Sequence, residues 1–77
     1  MELKQILADI ARAIVDSPDA VVVEEFVNGN DVELVLSVAE DDTGMIIGRH
    51  GKIAKAIRQI MKVAANTQGK HVTVEIK

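Results

Sequence analysis

Residues 46–58 read Ile-Ile-Gly-Arg-His-Gly-Lys-Ile-Ala-Lys-Ala-Ile-Arg, in which two glycines enclose two polar residues ahead of a helix-forming run. Gly48 and Gly51 permit backbone conformations that other residues rarely adopt, and they leave no Cβ in the way of a ligand. The first N–H groups of the following helix have no partner within it and carry the positive end of its dipole. Such a helix start binds anions, phosphate above all. Residues 48–51, called the glycine corner below, therefore predict a phosphate site between two helices.

The charges at the glycine corner help to weigh this hypothesis against a simpler one. Arg49, His50 and Lys52 stand where a helix prefers acidic residues, and a cation there costs about 0.3–1 kcal/mol. A bound anion would offset that cost. The simpler interpretation is a bend between two helices with no ligand, because isolated G-x-x-G tetrapeptides are common by chance. The rest of the chain has to decide between the two.

The composition limits the class of protein. A chain of 77 residues with 48% apolar residues predicts one small domain over residues 1–77, with a single core. The absence of cysteine excludes disulfides and thiolate metal sites. Phe26 is the only aromatic residue, which excludes the aromatic stacking platforms of many RNA-binding sheets. No apolar run is long enough to span a membrane and no signal-peptide pattern precedes the first helix, so we expect a cytoplasmic protein without membrane contact.

Charge is divided unequally along the chain. The formal charge is −9 over residues 1–42 and +6 over residues 43–77, which together make the net −3. This asymmetry indicates a basic binding surface on an otherwise acidic body. The alternative is that the acidic half only increases solubility.

Hydrophobic periodicity and turn signals divide the chain into six elements. They are a helix over 2–16 ended by Ser17-Pro18, strands over 21–27 and 32–38 around a tight turn at 28–31, a short helix over about 43–47 capped by Asp42 or Thr43, a long helix from 52 to about 65, and a strand over 71–76. The connection between the last two strands contains helices and is long enough to make those strands parallel. The predicted fold is α+β, with a mixed three-stranded sheet of order 1-2-3 and three helices on one face.

This α-β-β-α-α-β order, with Ile-Ile-Gly-Arg-His-Gly-Lys-Ile at the helix–helix junction, resembles a type II KH domain. It looks closest to the KhpA (YlqC) family of small, single-KH bacterial RNA-binding proteins, and the resemblance covers essentially the whole chain. One departure is His50, because many KH loops carry lysine or arginine at both inner positions.

The resemblance implies binding of single-stranded RNA, since KH loops clamp the backbone of about four nucleotides. Phosphates would approach Gly48 and Gly51, with Arg49 and His50 adding charge and hydrogen bonds. The residues implied are Ile46, Ile47 and Ile53 as the floor of a groove, and Lys52, Lys55 and Arg58 as its basic side. The third strand and the 66–70 loop would form the opposite wall, with free backbone groups near Val72. The competing interpretation is that the isoleucines are core, as we expect for Ile57 and Ile60, and that Lys62 and Lys70 are merely solvated.

The resemblance further implies an RNA chaperone or post-transcriptional regulator, acting as a homodimer or with a larger KhpB/Jag-type partner and linked to cell envelope and cell length control. An alternative is a KH-fold protein–protein interaction module without significant RNA binding. An enzyme is not expected, because no Walker or dinucleotide motif occurs and His50 and His71 lack metal-ligand spacing. No cofactor is predicted.

Overall fold

The structure is a computed structural model that describes residues 2–48 and 51–77. Over this part of the chain the elements follow the predicted order. They are α1 (Leu3–Ile14), a short 3-10 helix (Pro18–Ala20), β1 (Val22–Asn28), β2 (Asp31–Ser37), α2 (Glu40–Ile47), α3 (Lys52–Thr67) and β3 (His71–Ile76).

The sheet has the predicted order β1-β2-β3. β1 and β2 are antiparallel, and their register runs from Asn28 opposite Asp31 to Val22 opposite Ser37. Gly29 makes the connecting turn with a φ of 63°. β2 and β3 are parallel, from Asp31 beside His71 to Leu36 beside Ile76. The α+β fold with a mixed three-stranded sheet is therefore confirmed.

All three long helices cover the same face of the sheet. Alternate residues of β2, from Val32 to Leu36, point into a core that also receives one side of each helix. The largest fully buried side chains come from every layer, and they are Leu7, Leu34, Leu36, Ile46, Ile57 and Met61. Burying each such side chain contributes about 1.5–3 kcal/mol. This core holds α2 and α3 in the positions that form the glycine corner.

The opposite, outer face of the sheet has a different character. Val35 lies there and is only 6% exposed, in keeping with the prediction that β2 is the central strand. The register puts Glu24 and Glu75 on either side of Val35. Asp31 and Glu33 share this face because side chains alternate along a strand. The outer face therefore carries four carboxylates, and no lysine or arginine of the three strands points to it.

The start of α2 differs from the prediction. The helix begins at Glu40 with Ala39 as its N-cap, so the expected start near 43 and the cap by Asp42 or Thr43 are wrong. Asp42 is 2% exposed, and its carboxylate accepts hydrogen bonds from the backbone N–H groups of Asp16 and Ser17, each at 3.1 Å. Thr43 Oγ1 instead donates to the Ala39 carbonyl at 3.3 Å. A contact between distant parts of the chain thus replaced the local cap.

The end of α3 explains how the chain enters β3. Gly69 has a φ of 67°, the left-handed conformation common in the residue that follows a helix. Its N–H donates to the Asn66 carbonyl at 3.1 Å, and the Lys70 N–H donates to the Ala65 carbonyl at 2.9 Å. This Schellman-type ending reverses the chain direction, so that α3 and β3 run in opposite senses.

Candidate nucleic-acid interface

The first residue of the glycine corner requires glycine. Gly48 has φ 50° and ψ −171°, a combination essentially confined to glycine. A Cβ at this position would lie 3.1 Å from the Met45 carbonyl oxygen. The Gly48 N–H ends α2 by donating to the Gly44 carbonyl at 2.7 Å. The backbone conformation therefore favours glycine strongly, and the close carbonyl oxygen adds to the cost of a side chain.

The last residue of the corner leaves the start of α3 open. Gly51 is the N-cap of α3 in the left-handed conformation, with φ 62° and ψ 31°. Gly51 has no side chain with which to cap the helix, and no acidic residue lies in the first turn of α3. Among the described residues, nothing lies within 4 Å of where a Gly51 Cβ would be. Arg49 and His50 lie outside the described residues, and their roles stay predictions.

The isoleucines around the corner have different surroundings. Ile46 is fully buried in the core, beneath the surface where the groove is predicted. Ile47 is 46% exposed, and Ile53 is partly buried against the edge of the core. The expectation that Ile57 is core is confirmed at 2% exposure, whereas the same expectation for Ile60 is wrong at 48%.

Arg58 brings one cation-bearing side of α3 against β3. Lys52, Lys55 and Arg58 are all exposed. Arg58 Nε donates a hydrogen bond to the Val74 carbonyl at 3.3 Å. Helical periodicity puts Lys55, Arg58 and Lys62 on one side, which we call the basic face. Because α3 and β3 run in opposite senses, Lys55 lies toward Ile76 and Lys62 toward Val72.

The edge of β3 beside the basic face presents backbone groups to solvent. The His71 N–H donates to the Asn30 carbonyl and the Lys77 N–H to the Leu36 carbonyl, both at 2.9 Å. Since backbone groups alternate in direction along a strand, those of Val72, Val74 and Ile76 point away from β2. The Val74 carbonyl is occupied by Arg58. The outward groups of Val72 and Ile76 have no hydrogen-bond partner within residues 2–48 and 51–77.

A second exposed side of α3 was missed by the sequence analysis. Ala56, Ile60 and Val63 follow one another at helical spacing, and we call them the apolar face. Ile60 is 48% and Val63 63% exposed. A contiguous exposed apolar strip often marks an interaction surface. The sequence could have revealed this face, because the apolar residues of α3 extend around the helix beyond the side that packs against the core.

Outside residues 1, 49 and 50, no group of three or more His, Cys, Asp or Glu side chains is arranged to hold a metal ion. Within the same part of the chain, every helix is too short or too polar to cross a bilayer.

Comparison with known proteins agrees with this architecture. Residues 4–76 match the family described as KhpA/KhpB, KH domain. The chain belongs to this family. The resemblance inferred from the glycine corner is thereby confirmed, and the KhpA/KhpB family is one of KH domains, not of enzymes.

Relatives within the KhpA/KhpB family align over nearly their full length. The chain is 47% identical to the RNA-binding protein KhpA of Clostridium acetobutylicum over 74 residues, covering 96% of this chain and 99% of the relative. It is 44% identical to the protein of the same name from Caldanaerobacter subterraneus subsp. tengcongensis, covering 94% and 96%. For the KhpA of Clostridium perfringens the identity is 42%, with 96% and 99% covered.

Proposed function

We propose that this protein binds single-stranded RNA at the glycine corner and along the basic face of α3. The observation that carries the proposal is the start of α3, where a left-handed Gly51 is the N-cap, Lys52 follows, and the first N–H groups have no partner within the helix. Nothing in folding requires a cation and an uncapped helix start at the same place, whereas a nucleotide phosphate would satisfy both.

Each predicted residue has a role in this proposal. Phosphates approach Gly48 and Gly51, and Arg49 and His50 contribute charge and hydrogen bonds. Bases lie on Ile47 and Ile53, with Ile46 supporting them from the core. The residues that extend the positive potential along α3 are Lys52, Lys55 and Arg58.

The guanidinium of Arg58 suits this position. Its Nε is directed at the Val74 carbonyl, so the terminal nitrogens remain available for a phosphate. The free backbone groups of Val72 and Ile76 are suited to hydrogen bonding with base edges. The names of the relatives, RNA-binding protein KhpA, support the same reading. By extension, we propose an RNA chaperone or post-transcriptional regulator in the cytoplasm, with an effect on cell envelope growth and cell length.

The test is a charge reversal at the corner. The variant Arg49→Asp with His50→Asp is titrated with a labelled single-stranded RNA of about ten nucleotides, longer than the four that a KH loop clamps. We expect at least a tenfold loss of affinity, and a change in the slope of log K against log salt from about −2 toward −1 as phosphate contacts disappear. The comparison variant is Lys4→Asp with Gln5→Glu, which changes the formal charge by the same amount on α1. Unchanged binding by the folded corner variant, or an equal loss in the comparison variant, rules out the corner as the site.

We further propose that the protein associates through the apolar face of α3, as a homodimer or with a larger KhpB/Jag-type partner that presents a similar helix. Ile60 and Val63 are exposed on successive turns, and burying them is favourable. The basic face stays free in such a pair, so two RNA sites would act together and raise avidity.

Association is tested at the centre of the apolar face. Ile60→Asp should convert a dimer to a monomer in sedimentation experiments without loss of helical circular dichroism. Gln59→Asp, on a neighbouring exposed position, should leave the dimer intact. A wild-type chain that is monomeric alone and with its partner, or a dimer that tolerates Ile60→Asp, excludes this interface.

The second candidate function is a protein-interaction module that keeps the KH fold without significant RNA binding. The apolar face favours it, because this surface needs no nucleic acid to be useful. The two functions are separated by the same pair of variants. An interaction module loses its partner with Ile60→Asp and is indifferent to the reversal at Arg49 and His50.

A further inference from the structure

The edge of β1 is open in the same way as the edge of β3. The register with β2 directs the backbone groups of Val22, Glu24, Phe26 and Asn28 inward, because β2 uses its even-numbered residues to bond β3. The N–H and C=O groups of Val23, Glu25 and Val27 therefore point outward. In the part of the chain that the structure describes, no hydrogen bond reaches them.

This edge forms one wall of a groove whose other wall is α1. Two hollows of about 480 and 370 Å³ lie end to end along it, and Glu2 borders both. Glu25, Val27 and Lys70 line the first, while Val23, Lys4 and Arg12 line the second, so the groove side of the edge carries both signs of charge. These volumes fall within the range of about 300–1,000 Å³ typical of ligand clefts. A cleft between a helix and an edge strand has the shape that receives an extended peptide.

Several apolar side chains of β1 are exposed to solvent, which is unusual for a strand at a protected edge of a sheet. Val22 is 54%, Phe26 53% and Val27 60% exposed. Proteins usually blunt an open edge by covering it or by keeping it short and polar. Here a strand of seven residues has no neighbour on one side, and three of its exposed side chains are large and apolar.

The charges decide what can pair with this edge. An antiparallel pairing of two β1 strands that matches all seven residues is centred on Glu25, and it sets two Glu25 carboxylates opposite each other. Like charges directly opposite are destabilising, so a second copy is disfavoured. On the outer face, Glu24 stands between Val22 and Phe26, and the neighbouring strands add the carboxylates of Glu33 and Glu75. A strand with a cation opposite Glu24, between two apolar residues, complements this pattern.

We infer that the free edge of β1 binds an extended segment of another protein as a fourth, antiparallel strand. The segment carries lysine or arginine between two apolar residues on the side that faces outward. Its neighbouring residues exchange hydrogen bonds with Val23, Glu25 and Val27. The inference is independent of the RNA proposal, because the glycine corner and the basic face belong to the other side of the molecule.

The probe is a synthetic peptide, acetyl-STVTKTVTS-amide, whose valines and lysine share one face of a strand. It is titrated into the isotope-labelled chain while amide hydrogen exchange is followed. We expect the amides of Val23, Glu25 and Val27 to exchange at least about tenfold more slowly at saturation. A peptide with glutamate in place of the lysine should bind about fivefold more weakly. The variant Glu24→Lys, at an exposed edge position, should reverse the order of the two peptides.

Two methylated peptides test the backbone pairing without changing the protein. N-methylation of the two threonines beside the lysine removes the N–H groups that would face β1, and we expect binding to be lost. N-methylation of the lysine removes an N–H that faces away, and binding should persist. The inference fails if the threonine-methylated peptide binds equally well or if lysine and glutamate peptides do not differ. It fails too if the three amides stay unprotected, or if they become protected in the chain alone as its concentration rises.

Discussion

The two open edges of the sheet present the same backbone groups in opposite electrostatic surroundings. Beside β3 lie the basic face of α3 and the uncapped helix start, and Arg58 already bonds the edge at Val74. Beside β1, the outer face of the sheet is acidic around Glu24, whereas the groove on the other side holds Glu2 and Glu25 together with Lys4, Arg12 and Lys70. The backbone groups of an unpaired strand edge do not by themselves favour a cationic or an anionic partner. The neighbouring side chains therefore decide that one edge suits an anionic strand of nucleotides and the other a cationic strand of protein.

The largest expected effect on RNA affinity comes from Gly48, which lies in the glycine corner and not beside the β1 edge. Gly48→Ala forces a side chain into a conformation confined to glycine and sets its Cβ against the Met45 carbonyl. We expect the free energy of unfolding to fall by about 1–3 kcal/mol and RNA affinity to fall at least about tenfold. Urea unfolding and RNA titration measure the two effects.

Gly29→Ala is the matched control for Gly48→Ala. Gly29 also has a positive φ, of 63°, but it lies in the β1–β2 turn with nothing within 4 Å of its Cβ position among the described residues. Its replacement should cost stability through backbone strain and leave RNA binding by the folded protein unchanged. If both variants lose RNA binding equally, the effect of Gly48→Ala is a general loss of stability and not a property of the corner.

A smaller effect is expected from Arg58, which joins the basic face to the β3 edge. Arg58→Met keeps the length of the aliphatic stem and removes both the charge and the hydrogen bond to Val74. RNA affinity should fall by about three- to tenfold, and the salt slope should lose about 0.7 if one phosphate contact disappears. Lys62→Met, farther from the corner on the same face, should change the slope less. Equal slopes in the two variants would show that position along α3 does not matter.

The smallest expected effect tests whether the two edges are independent. Glu24→Lys reverses one charge beside β1. At physiological salt, exposed charges more than about 8 Å apart are largely screened from each other, so RNA affinity should change by less than about twofold. RNA titration of the variant measures it. A tenfold change would mean that RNA reaches the outer face, and the contrast between the edges would have to be abandoned.

Local patterns were sufficient for most of the fold. The apolar periodicity of α1 and the turn at residues 28–31 both predicted structure that is observed, because each depends on neighbours in sequence. The strand order followed from the length of the helical connection between β2 and β3. The two glycines of the corner were predicted from their spacing, and both adopt positive φ.

The errors arose where distant parts of the chain meet. Asp42 has the side chain of a helix cap, but its carboxylate bonds the amides of Asp16 and Ser17. Ile60 fits the apolar stripe of α3, yet it lies where the stripe extends beyond the surface that α1 and α2 cover. The hydrogen bond from Arg58 to the Val74 carbonyl joins α3 to β3, and no local sequence pattern specifies how these two elements align along their lengths. Periodicity describes one element at a time and cannot say which neighbour will be there.

The buried carboxylate of Asp42 links the segment after α1 to α2, the helix that ends at Gly48. The carboxylate joins the first turn of α2 to the N–H groups of Asp16 and Ser17. Because Asp42 is buried, losing either hydrogen bond would cost stability. A proline introduced at Asp16, on an exposed bend, would delete one of those amides and leave the carboxylate half satisfied. We expect the displaced start of α2 to shift Gly48 at its other end. A substitution at an exposed position would then weaken RNA binding at the glycine corner.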